Sequence, residues 1–210
     1  WAIQSGLPEW GVTVLQAEAE MDAGPVWAEA RFALRRGRKA SVYRHEVTEA
    51  AVIAVKQSVT RFIAGDFTPQ RVPGKALPLM KQHDRVIDWS VNSSASILAR
   101  LNAADGFPGV ADSLFGETCH LFDAWPEASL RGEPGSLIGR RETAILRATV
   151  DGAVWIGHVK RPGGIKLPAT VAFPEAASLP ELPLDGYWKA PAATWQDIAY
   201  EEAAGVGFLS

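Results

Sequence analysis

Only one of the 210 residues is a cysteine, Cys119, which excludes an internal disulfide and suits a reducing, cytoplasmic setting. Its place in the alternating apolar run 118–124 makes it a buried structural thiol in preference to a nucleophile. No Cys and His spacing fits a zinc site, so no metal is expected, and neither a P-loop nor a dinucleotide fingerprint is present. A positively charged leader is missing, as is any apolar run long enough for a signal peptide or a membrane span. There is no basic excess either: the net charge is -3, which argues against a strongly polyanion-binding protein. What remains, 47% hydrophobic and 21% charged, is the composition of an ordinary soluble chain of one or two domains.

The most informative stretch that is present is 11–28, GVTVLQAEAEMDAGPVWA. Val12 and Val14 alternate as in a half-buried strand, and the extended pattern resumes over 26–32. Asp22, Ala23, Gly24 and Pro25 between them read as a turn, in which Gly24 supplies backbone freedom and Pro25 fixes the exit. A carboxylate held at a strand end can orient a histidine or accept a proton. The alternative is that Asp22 only caps its turn.

Further along, residues 41–63 carry apolar side chains at helical spacing, with Ser41 as N-cap and Gly65 as the stop. This predicts a long helix packed on the sheet next to the Asp22 loop, with His45 on its solvated face. Pro69, Pro73, Gly74 and Pro78 mark a linker. A second helix is predicted over 90–104, with Val91, Ile97, Leu98 and Leu101 on one face. Five short strands follow, over 110–115, 118–125, 135–141, 143–150 and 153–160, and Asp151-Gly152 is a strong hairpin signal. Such a run suits a small OB-like barrel, closed or partly open. Trp27, Trp89, Trp125 and Trp155 are expected as core and domain-junction anchors.

Charge within that region is local. Residues 66–189 hold 13 Lys and Arg against 14 Asp and Glu, yet Arg140, Arg141, Arg147, Lys160, Arg161 and Lys166 cluster in sequence. If they share a face they can hold a phosphate-bearing ligand, the alternative being a solvated strand face. Lys81, Arg85 and Asp88 either line an interdomain cleft or form an ion-paired entry to the following element.

Gly11, Val12, Thr13, Met21, Asp22, Gly24, Pro25 and Val26 together resemble the strand and loop of folate-dependent formyltransferases. Ile87-Asp88-Trp89, a helix and then Phe107-Pro108-Gly109 resemble the entry to the C-terminal domain of methionyl-tRNA formyltransferases. The blocks 41–50, 103–110, 114–116 and 120–124 are more similar to hydrogenase maturation factors of the HypX/HoxX type, in which a formyltransferase-like half precedes an enoyl-CoA hydratase-like half. The resemblance implies an α/β remnant, the end of a Rossmann-like formyltransferase domain with a long helix, followed by a small OB-like β-barrel domain. Its divisions are a catalytic-domain portion over 1–65, a linker over 66–80, the OB-like domain over 81–178, a proline-rich connector over 179–197, and the start of a hydratase-like domain over 198–210.

It also implies an enzyme that uses 10-formyltetrahydrofolate as substrate, passes the formyl group to coenzyme A and releases CO for a nickel-iron hydrogenase site. Asp22 would be catalytic, with Gly24 and the six Arg and Lys residues at the cofactor. Partners would be small molecules and hydrogenase maturation proteins; tRNA is disfavoured by the balanced charge, and no membrane is expected. Other readings are a methionyl-tRNA formyltransferase-like enzyme or a non-catalytic OB-like binding module. In the family the aspartate acts with an upstream asparagine and histidine, whereas His45, His83, His120 and His158 all follow Asp22. The chain therefore reads as an internal piece of a longer protein. Produced alone, residues 1–210 are expected to be poorly soluble because sheet edges and apolar surface are uncovered; a well-behaved monomer with a cooperative melt would contradict this.

Overall fold

The computed structural model describes residues 1–72 and 77–182, so the hydratase-like start expected over 198–210, and the connector beyond Leu182, lie outside the described residues. The opening turn ends as a helix tail does. Ser5 N–H donates to the Trp1 carbonyl, and Gly6, at φ 63, and Leu7 donate back to Ile3 and Ala2 in a Schellman arrangement. Strands β1 (Glu9–Leu15) and β2 (Val26–Ala33) then pair antiparallel, with Val12 opposite Ala30 and Val14 opposite Ala28.

Helix packing on this hairpin starts earlier than predicted. Helix α1 (Lys39–Val42) passes through a wide π turn at Tyr43–Val47 into α2 (Thr48–Ile63). Arg38 is the N-cap, not Ser41, which is buried and accepts a hydrogen bond from Arg35. His45 departs from expectation too: it is 8% exposed, because the π turn rotates it inward from the solvated face. Gly65 does end the helix, its N–H donating to the Phe62 carbonyl. Ala50 and Ala54 meet Ala30, Val12, Val14 and Phe32, whereas Val52, Val55, Val59, Phe62 and Ile63 remain exposed.

Residues of the expected linker are tied to this unit. Gln70 exchanges backbone hydrogen bonds with Val26, and Arg61 donates to Asp66 at 2.7 Å. Asp66 also accepts from Thr68, and these bonds, led by Arg61, hold its carboxyl below the usual range.

The second unit is one antiparallel sheet of six strands: β3 (Val110–Leu114), β4 (Glu117–Glu127), β5 (Leu137–Arg141), β6 (Ala144–Ala148), β7 (Ala153–Lys160) and β8 (Lys166–Pro168). Its order is β3-β4-β7-β6-β5, with β8 also on β7. No pairing joins β3 to β5 among the described residues, so the sheet stays open where a closed OB-like barrel was the tighter expectation. Helix α3 (Ser94–Ala103) is shorter than predicted: Ser93 caps it, leaving Val91 exposed in the preceding turn while Ile97 and Leu101 are buried. The predicted Asp151-Gly152 hairpin is present and doubles as a latch, Asp151 accepting from the Ser94 N–H at 2.7 Å.

Two strands break their own alternation. Leu121 and Ala124 of β4 lie in one core, as do Ile156 and Val159 of β7, although each pair is three residues apart. The reversal occurs where Asp123, at φ 54, faces Gly157; a Cβ on Gly157 would lie 2.8 Å from Asp123 Oδ2. Core packing is anchored by Trp89, whose indole donates to Asp112 at 2.7 Å. Arg147 bonds Asp112 at 3.0 Å and stacks 4.2 Å from the Trp89 ring. Trp155 is buried on the other face with Trp125 partly covered beside it. Because the Arg147/Asp112 pair is largely dry, Asp112→Ala is expected to cost about 3–5 kcal/mol in denaturant unfolding; a loss under about 1 kcal/mol would show the network to be dispensable.

Candidate functional site

Asp22 sits at the tip of the connection between β1 and β2, solvent-exposed and with left-handed backbone at φ 59. The loop beneath it is held from several sides. Gln16 N–H donates to the Pro25 carbonyl at 2.8 Å, the Trp27 indole donates to Gln16 Oε1 at 2.9 Å, and Arg71 donates to Glu18 at 2.8 Å. Among the described residues no group donates to the Asp22 carboxylate, so the side chain is not spent on capping its own turn. Gly24 is required by close approach, while the positive φ falls on Asp22: a Cβ at Gly24 would stand 1.8 Å from the Gln16 carbonyl oxygen.

The basic residues grouped in sequence are separated by the fold. Arg140 pairs with Glu181 at 2.8 Å, Arg141 lies over Trp155 at 4.6 Å, and Arg147 belongs to the Trp89 network. Arg161 covers Phe173 at 4.5 Å and approaches Glu117 at 3.4 Å. Only Lys160 and Lys166 stand side by side, as cross-strand neighbours, with His120 on the far side of Lys160 and the Lys166 amine 5.3 Å from the Phe122 ring. The six therefore do not share one phosphate-binding face, since most are used against acids and aromatic rings. Lys81, Arg85 and Asp88 also part company: Lys81 N–H donates to Asp84, Arg85 is buried, and Asp88 accepts from Ser90, which keeps its carboxyl below the usual range.

Cys119 is fully buried, and burial, followed by nearby Asp112, pushes its thiol up to about 11. At neutral pH it is a packed apolar group. Among the described residues no group of three or more His, Cys, Asp or Glu is arranged to hold a metal, and no helix is long and apolar enough to cross a membrane. A shallow concavity of about 290 Å³ along the hairpin is lined by Trp10, Thr13, Glu29 and Arg31 and does not include Asp22.

One constellation went unnoticed in the sequence. Asp123 Oδ1 accepts from Arg38 at 2.7 Å and its Oδ2 lies 2.8 Å from His158 Nδ1, joining the residue before α1 to two strands of the sheet. The separations in sequence are 85 and 35 residues, far beyond what a local motif reveals.

With this geometry in place, relatives define the class of protein. Residues 79–175, which carry α3 and the six-stranded sheet, match the formyl transferase C-terminal domain family. The whole chain is 46% identical over 222 aligned residues to the hydrogenase maturation factor HoxX of Bradyrhizobium diazoefficiens, of which it covers 37%. The crystal structure of HypX from Aquifex aeolicus in complex with tetrahydrofolic acid is 40% identical, with a TM-score of 0.82 over 87% of this chain and 33% of that one. Methionyl-tRNA formyltransferase of Paraburkholderia phymatum is 30% identical over 80% of this chain and 52% of its own length. The chain is a relative of the HoxX/HypX hydrogenase maturation factors and, more distantly, of methionyl-tRNA formyltransferases. It spans about a third of the length of the former and half that of the latter.

Gly24→Ala is expected to open the Asp22 loop and destabilise the protein by about 1–3 kcal/mol, with faster proteolysis within 17–25, whereas Met21→Ala on the same exposed tip should leave the melt unchanged. Equal melting and cleavage of the two variants would remove the close approach as the reason for glycine.

Proposed function

We propose that this chain is part of a 10-formyltetrahydrofolate-dependent formyl-transfer enzyme of the hydrogenase-maturation type. The formyl group passes to the thiol of coenzyme A, leaving tetrahydrofolate and formyl-CoA, and formyl-CoA is then split to CO and free coenzyme A in the remainder of the protein. The carrying observation is the alignment of the entire chain with a hydrogenase maturation factor, supported by a HypX neighbour that binds tetrahydrofolic acid. Within the chain, Asp22 is the residue assigned to the chemistry. An exposed carboxylate on a clamped loop, not engaged by its own turn, is free to orient a histidine and stabilise it as it takes up a proton. That histidine and the asparagine that polarises the formyl group are supplied by the rest of the protein. The setting assigned is the cytoplasm, in keeping with one buried thiol.

The methionyl-tRNA reading draws on weaker identity, 30%, and on a C-terminal sheet whose arginines are largely committed to acids and rings instead of a polyanion. Tetrahydrofolate release by the complete protein, with coenzyme A and with methionyl-tRNA as alternative acceptors, separates the two. Release is expected with coenzyme A. Asp22→Asn should lower it by about 10²–10⁴-fold without moving the melting temperature; undiminished turnover would take Asp22 out of the mechanism, and release with tRNA alone would overturn the acceptor.

A further inference from the structure

Several arginines in this protein meet acids: Arg38 meets Asp123 at 2.7 Å, Arg61 meets Asp66 at 2.7 Å and Arg147 meets Asp112 at 3.0 Å. Arg85 is the one arginine among the described residues that is buried. It is 7% exposed, its Nε is sealed from solvent with no acceptor, and among the described residues no carboxylate comes within ion-pair distance of it. A guanidinium stays charged at any physiological pH, and a buried charge without a counter-ion is costly.

Its surroundings add positive charge. Gln82, in the same short turn (Gln82–Arg85), donates to the Gly109 carbonyl at 3.2 Å, and the Lys39 amine donates to the Phe107 carbonyl at 2.7 Å, so Lys39 and the turn that carries Arg85 both meet the loop 107–109. Burial and then Arg85 push the Lys39 amine below its ordinary range, with buried Asp105 opposing.

We propose that Arg85 and Lys39 form a binding site for an oxyanion, the phosphate or carboxylate group of a small diffusible ligand, at the seam between the hairpin-helix unit and the sheet. The guanidinium fork suits either group, and the Lys39 amine adds a point charge beside it. The site shares no residue with the Asp22 loop and stands apart from the formyl-transfer reading.

The test melts the complete protein in chloride buffer with inorganic phosphate or acetate added at matched ionic strength. A saturable rise in Tm with phosphate, weakened by about tenfold or more in Arg85→Gln, supports a phosphate-bearing ligand; the same pattern with acetate supports a carboxylate-bearing one. Should Arg85→Gln fail to fold, Lys39→Gln is read in its place, with a weakening of about tenfold expected. No response to either anion beyond chloride, as when a carboxylate of the protein itself occupies the site, or a response that the variant keeps in full, overturns the proposal.

Discussion

Asp123 ties the two units together where the sheet itself is reshaped. Its carboxylate receives Arg38 from the segment leading into α1 and faces His158 on β7, while its left-handed backbone reverses the alternation of β4. These roles depend on one another. Without the reversal Asp123 would continue the strand's alternation and its carboxylate would be aimed elsewhere; without Gly157 opposite there would be no room for that carboxylate between the strands. The reversal lets Leu121 and Val159 serve the same core as Ala124 and Ile156 and turns Phe122, His158 and Lys160 to the other face. On that face the N-terminal segment docks, helped by the Lys39 bond to the Phe107 carbonyl.

The units differ in how firmly they are built. The sheet domain encloses Ile97, Leu101, Leu121, Ile145, Ile156 and Phe173, all with essentially no solvent contact, and adds the dry Trp89, Asp112 and Arg147 network. Between hairpin and α2 the buried core is three alanines, Ala30, Ala50 and Ala54, with Val12, Val14 and Phe32 only partly covered. At about 25 cal/mol per Å² of apolar surface, alanine methyls contribute little beside Leu, Ile and Phe. The Asp22 loop therefore depends on polar ties, from Arg71, Gln16 and Trp27, more than on apolar burial.

Periodicity made much of this legible in advance. The hairpin around Asp22, the long helix stopped by Gly65, the Asp151-Gly152 turn and the strand over 153–160 are all local patterns, and local patterns are what a sequence states openly. Ser41 and His45 were misread for one reason: a helix that begins two residues earlier and widens at Tyr43–Val47 rotates every later side chain, and no spacing rule announces a π turn. The basic cluster was misleading for another. Side chains alternate along a strand, so Arg141, paired with Ala144, lies over Trp155, while Arg147, three residues beyond Ala144, lies over Trp89 in a separate core. Asp123 was invisible because its partners are distant in the chain.

Gly24 illustrates how a right residue can be chosen for the wrong reason. A glycine in a turn suggests backbone freedom, but here the unusual torsion belongs to Asp22 and the glycine clears space for the Gln16 carbonyl. The difference bears on the site. Aspartate tolerates left-handed backbone better than most residues, so Asp22 can occupy the loop's tip at modest cost while Gly24 lets the chain pass close below it. Together they raise a carboxylate into solvent on a base that cannot fold down over it. That geometry suits a residue meant to meet a partner from elsewhere in the protein, and is poor for one meant to stabilise its own loop.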